Sequence, residues 1–143
     1  MKLKDQVCSL ELAKRLKELG VKQRSYFWWV ELSHELVTTQ TAVISGIEEE
    51  RCELRDIGVK RICSAFTVAE LGEMLPLYLE IDANKGISFS VETCGLQIWK
   101  TYDNKGWVVA YGNRITSDDT EANARAKMLV YLLENDLIIK KEK

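Results

Sequence analysis

Between Asp118 and Asn135 the chain carries a helix whose beginning, end and buried side are all legible from residue types. Asp118 followed by Glu121 reads as a capping-box start: a side-chain oxygen takes an orphan backbone N–H, and an early carboxylate complements the helix dipole. Ala122, Ala126, Leu129 and Leu133 fall on one stripe at helical spacing, Val130 and Leu132 lie at its margins, and Asn123, Lys127 and Glu134 point away. The two alanines admit a second backbone closely, while each leucine contributes about 1.5–3 kcal/mol if fully buried. Asn135 suits a left-handed C-cap. Ala124, Met128 and Tyr131 make the far side apolar as well, so this helix needs cover on a second face.

The surface it covers is set by a change of period. From Leu77 onward apolar residues alternate, which predicts strands at Leu77–Ile81, Ile87–Glu92, Leu96–Tyr102 and Trp107–Tyr111. Asp82-Ala83-Asn84-Lys85-Gly86 and Asp103-Asn104-Lys105-Gly106 use one turn vocabulary twice, with glycine supplying the positive φ, and Thr93-Cys94-Gly95 turns the middle connection. Gly112 to Ser117 reads as the loop returning the chain to the final helix. A type I turn with a glycine bulge after Tyr102 would set Trp99 opposite Tyr111 and place Trp99, Thr101, Val109 and Tyr111 on the face away from that helix. The fold class expected is α+β: an antiparallel four-stranded meander with a C-terminal helix packed across it, an N-terminal helix and an aromatic strand.

The N-terminal half supplies the other elements. Ser9 to Leu19 is a helix, capped by Ser9, striped by Leu12, Ala13, Leu16 and Leu19, and stopped at Gly20. Ser25 to Glu31, with Tyr26, Phe27, Trp28, Trp29 and Val30, is a strand whose two faces both need cover. From Leu32 to Arg61 the pattern weakens: Leu36 to Ile44 reads as a strand or an irregular excursion, and Ser45 with Glu48 as the start of a short helix ending near Gly58. Thr67-Val68-Ala69-Glu70 is the cleanest capping box, followed by Leu71, Met74 and Leu75 and stopped by Pro76. A helix-turn-helix reading fails here, because strand-forming residues follow where a recognition helix should stand.

With 143 residues, 46% hydrophobic and 29% charged, the chain supports one core, so residues 1–143 are read as a single α+β domain. Apolar runs fall far short of the roughly 20 residues that cross a bilayer, and no apolar stretch follows Met1, so neither a membrane partner nor export is expected and the cytoplasm is the expected compartment. Cys8, Cys52, Cys63 and Cys94 lack any paired spacing and read as small core residues; Cys52, Cys63 and Cys94 with His34 form no zinc-ligand signature, so no metal and no cofactor is expected. Net charge is −2, which disfavours a dedicated nucleic-acid binder, although residues 1–24 hold seven of the 20 basic residues and three of the 22 acidic ones.

Ser9-Leu10-Glu11-Leu12-Ala13-Lys14, the run Ala65 to Pro76, and the run Thr120 to Leu129 resemble, in matching order, phrases from a family of small uncharacterised proteins of bacteriophages and prophage-bearing bacteria. The resemblance implies a mobile-element context and transfers no catalytic residues. Nor do the residues supply any: the only histidine, His34, has no placed nucleophile, Asp118, Asp119 and Glu121 sit where helix starts favour acids, and the glycines form no phosphate loop. The chain is therefore read as a non-enzyme. What remains is aromatic: Trp28, Trp99, Trp107 and Tyr111 are the candidate binding residues, against the plainer reading of core or dimer interface. The function expected is a small binding or adaptor protein of phage-like origin acting by protein–protein contact, with self-association also open. The alternative is a nucleic-acid accessory factor using the basic first helix and exposed rings.

Overall fold

The computed structural model describes residues 2–32, 41–46, 59–82 and 91–138. Its helices begin where side chains satisfy orphan N–H groups. A short α1 (Leu3–Gln6) is followed by α2 (Leu10–Glu18), where Ser9 Oγ accepts from the Leu12 N–H and Gly20, at φ +87°, ends the run. Helix α3 (Val68–Met74) opens on the reciprocal box between Thr67 and Glu70 and stops before Pro76. Helix α4 (Glu121–Glu134) is capped by the Thr120 hydroxyl rather than by Asp118. Asp118 instead ends a strand and pairs with Lys127 at 2.6 Å. At the other end Asp136, not Asn135, takes the left-handed conformation, at φ +53°.

Strands β1 (Phe27–Leu32), β2 (Thr41–Gly46) and β3 (Val59–Ser64) form an antiparallel sheet in the order β2-β1-β3, with a bulge between Trp29 and Val30. Ser45 therefore lies in a strand, not at a helix start, and β3 occupies a stretch that carries only Val59, Ile62 and Cys63 as an apolar signal. The expected helix body from Ile47 to Gly58 and the excursion from Leu36 to Gln40 lie outside the described residues. Trp29 and Trp28 are each partly covered, as a strand with two occupied faces requires; the Trp29 indole donates to the Cys8 carbonyl at 3.1 Å.

The second sheet is the antiparallel four-stranded meander, β4 (Tyr78–Asp82), β5 (Val91–Lys100), β6 (Trp107–Tyr111) and β7 (Arg114–Asp118) in that order. Its membership departs from the expected one. No turn occurs at Thr93-Cys94-Gly95, because β5 runs straight through these residues, and most of the expected strand Ile87–Glu92 and the turn before it lie outside the described residues. The fourth strand is β7, in the stretch read as a loop. A turn with positive φ only at Gly112, the first central residue of Gly112-Asn113, joins it to β6, the type II′ arrangement that suits the twist of a hairpin.

The β5–β6 register also differs. Trp99 stands opposite Val108, not Tyr111, a slip of three positions, and an odd slip exchanges faces between strands. The cause is the loop's own hydrogen bonding. Asp103 accepts from the Thr101 hydroxyl and the Lys105 N–H, and Thr101 O accepts from the Asn104 N–H, so the ladder closes at the Thr101 N–H, which donates to the Gly106 carbonyl at 3.0 Å, and Tyr102 belongs to the turn. Asn104, at φ +60°, carries the left-handed conformation; Gly106 serves close approach, since a Cβ there would lie 3.0 Å from the Asp118 carbonyl oxygen.

Helix α4 packs on β6 and β7 and meets α2 and α3. Its Ala122, Ala124, Ala126, Met128, Leu129, Leu132 and Leu133 are all buried and share one apolar cluster with Leu16, Phe66, Leu71, Val109 and Tyr111. Both apolar sides of the helix are thus covered. Two contacts hold the first long helix to the last: the Ser9 N–H donates to Asn123 Oδ1 at 2.7 Å, and Arg15 pairs with Glu134 at 2.8 Å.

Candidate binding surface

Antiparallel pairing sorts the meander's residues onto two faces. Leu96, Ile98, Trp107, Val109 and Tyr111 face the helices and join or flank the core cluster. Tyr78, Gly95, Gln97, Trp99, Val108, Ala110, Ile115 and Ser117 share the other face, which carries no charge from Gly95 across to Ser117, while β4 continues it with the register positions of Glu80 and Asp82. Tyr78 lies across Gly95, its ring carbons 3.9 Å from the position a Cβ would take. Ala110 is sealed by its neighbours, whereas Tyr78, Trp99 and Ile115 are 66%, 42% and 60% exposed. Large apolar side chains exposed on one sheet face are a recognised mark of contact surfaces. Tyr102, at the hairpin tip beside this face, is fully exposed.

The four expected aromatics do not converge. Trp99 stands on the outward face. Trp107 is half-buried on the inward side, with Lys100 Nζ 5.3 Å from its ring centroid, a cation–π contact. Tyr111 was expected beside Trp99 and is instead fully enclosed; its hydroxyl donates to the Pro76 carbonyl, and burial pushes the phenol up to about 12. Trp28 belongs to the other sheet, where it lines a separate cleft with Arg24, Tyr26, Glu70 and Glu73. Tyr78 and Ile115, which share the outward face with Trp99, carry no signal of this at their own positions in the sequence. Ile115 was hidden by the missed strand, although Gly-Asn between two alternating runs is a hairpin signal.

The margin of the sheet forms a second feature. A cleft of about 360 Å³ lies between β7 and α4, lined by Asn113, Arg114, Ile115, Thr116 and Tyr131. Arg114 Nε is enclosed and has no hydrogen-bond partner, and the side chain makes no ion pair among the described residues. An unsatisfied buried donor on a charged group is rare, because its desolvation is uncompensated. Thr116 by contrast is satisfied, its hydroxyl donating to the Ala124 carbonyl at 3.0 Å.

The basic first helix is largely occupied internally. Arg15 bridges Glu134 and Glu18, and Lys17 Nζ donates to the Ile62 carbonyl at 2.8 Å. Burial pushes the Cys8 thiol up to about 12, and burial likewise raises Cys63 against the opposing pull of Lys17 and Lys14. No group of three or more metal-ligating side chains occurs among the described residues, from which His34 and Cys52 are missing. No helix among them is long and apolar enough to cross a membrane. Compared with known protein families, with curated proteins and with solved structures, the chain matches none.

Proposed function

We propose that this protein is a small binding or adaptor module, working in the cytoplasm of a cell that carries a phage-like element, and that it acts by contact with an apolar, uncharged patch on a partner protein. The observation that carries the reading is the outward sheet face, where Tyr78, Trp99 and Ile115 are exposed and the part from Gly95 on β5 across β6 to Ser117 on β7 carries no charge. Apolar partners gain most from such a face, since aromatic side chains at an interface centre are where binding energy concentrates. The mobile-element setting rests on the resemblance of the three sequence phrases alone. The internal ion pairs of Arg15 and the Lys17 contact weigh against nucleic acid as the partner.

A photo-crosslinking residue in place of Trp99 tests the proposal in cells of the source organism. A protein crosslinked there should bind the purified chain, and Trp99→Asp or Ile115→Asp should weaken that binding by about tenfold or more, the loss typical of an interface anchor. Both variants should keep the native circular dichroism spectrum. Retention on single-stranded DNA that falls steeply with salt, with no crosslinked protein, would overturn the reading in favour of a nucleic-acid role.

A further inference from the structure

Strand β7 ends the four-stranded sheet, paired with β6 on one side and with no strand on the other among the described residues. The two-residue turn makes Tyr111 and Arg114 the closing hydrogen-bonded pair. Alternation then directs the backbone groups of Arg114, Thr116 and Asp118 toward β6, and those of Ile115 and Ser117 outward. The Ser117 carbonyl is occupied, accepting from Lys127 Nζ at 3.1 Å. The N–H and C=O of Ile115 meet no partner among the described residues. Most proteins blunt such an edge with charge, a bulge or a covering element; here Lys127 guards one end and the other stands open.

The cleft lies at that open end. Tyr131 is one helical turn beyond Lys127 on α4, so the two side chains flank the strand edge at successive levels. Arg114, on the same face of β7 as Thr116, brings a guanidinium with no acceptor among the described residues to the mouth of the cleft. A planar cation and a backbone edge that both lack partners among the described residues match a carboxylate carried on an extended chain.

We propose that the open edge of β7 takes an extended peptide segment of a partner protein as an additional strand, with an acidic side chain of that segment on Arg114. The pairing dictates a spacing. A residue exchanging both backbone hydrogen bonds with Ile115 turns its own side chain to the outward face, and its two neighbours turn theirs toward α4. One neighbour meets Arg114 and is acidic; the other meets Thr116 and Tyr131 and is apolar. The recognised segment thus carries an Asp or Glu two positions from an apolar residue, with a strand-forming residue between. This inference goes beyond the outward-face reading and does not require Trp99.

A displayed library of random peptides of about ten residues, the upper length of an ordinary strand, is the probe, selected on the whole chain. Selected peptides should show the acidic–x–apolar spacing. Arg114→Gln should weaken them about tenfold or more, as loss of a charge-assisted pair requires, and Arg114→Lys less. Ile115→Pro should remove binding while leaving the β6 pairing intact, because the N–H it deletes points outward. In the unmodified chain, peptide should slow exchange of the Ile115 amide, a readout independent of any variant's folding. Trp99→Ala should leave peptide affinity within about twofold, given additivity between sites that share no partner. Failure to select the spacing, affinity indifferent to Arg114→Gln, or an Ile115 amide that exchanges unchanged would each overturn the proposal, and none of them bears on the Trp99 crosslink.

Discussion

Single side chains of α4 separate packing from electrostatics. Leu129 is 2% exposed inside the main cluster, so Leu129→Ala should cost about 2–5 kcal/mol in urea unfolding, the range for an unfilled leucine cavity. Lys127 lies on the solvent side, where helical periodicity alone assigns it a negligible effect. Its bonds to Asp118 and to the Ser117 carbonyl change that, and Lys127→Ala should cost about 1 kcal/mol, the upper end for a part-exposed pair. Burial pushes the Asp118 carboxyl upward, but its bonds to Lys127 and the Asp119 N–H outweigh burial and leave it below the ordinary carboxylate value. A depressed folded pKa means that the unfolded chain binds the proton first. The stabilisation from Asp118 is therefore complete above the unfolded value of about 4 and is lost as pH falls through the folded one. Acid unfolding followed by fluorescence should show a shallower decline in Lys127→Ala than in the unmodified chain. The Cys8 thiol, enclosed and raised to about 12, should resist alkylation at neutral pH until the protein unfolds.

Among the elements, α3 shows how one carboxylate unites a helix start with a distant strand. Glu70 completes the box with the Thr67 N–H at 2.8 Å and also accepts from the Ser25 hydroxyl at 2.9 Å and the Tyr26 N–H at 3.2 Å. Thr67→Ala should cost about 1 kcal/mol, as cap removals do, and Glu70→Ala more, since it frees donors at both places. Equal thermal midpoints for the two variants would contradict this. Gly112→Ala should also destabilise, with φ at +61° and a Cβ position 3.0 Å from Cys94 Sγ. The elements legible in sequence are those with a local cause: the Ser9 and Thr67 caps, the stop at Pro76, the period switch from Leu77 onward and the α4 stripe. The α4 start was misread because Asp118 and Thr120 both suit a cap, and only β7 pairing decides between them. The continuity of β5 through Gly95 depends on Tyr78 lying across it from the neighbouring strand, and the register after Trp99 depends on how Thr101 and Asp103 bond within the loop. Neither is a property of a short window. The candidate surface suffered most, since which residues accompany Trp99 follows wholly from register.

For the molecule as a whole, the apolar cluster draws on residues from Cys8 to Leu133, so neither sheet owns a separate core. The three-stranded sheet reaches the cluster through Trp29, Ile62 and Cys63, and the meander through Leu79, Val109 and Tyr111. Removing α4 should therefore expose the inward face of the meander and the contact side of α2 together. A chain ending at Ser117 should bind a hydrophobic dye and give no cooperative melting transition.

The bonds from Ser9 to Asn123 and from Arg15 to Glu134 join segments 114 and 119 residues apart along the chain. On the ribosome, α2 emerges early and then waits, its apolar stripe bare, until α4 has cleared the exit tunnel. Closure at such sequence separation is slow, and surface exposed during the delay is open to chaperones and to aggregation. The nascent chain should accordingly gain protease resistance in a single late step, only once residues up to Glu134 are outside the tunnel, rather than gradually with length.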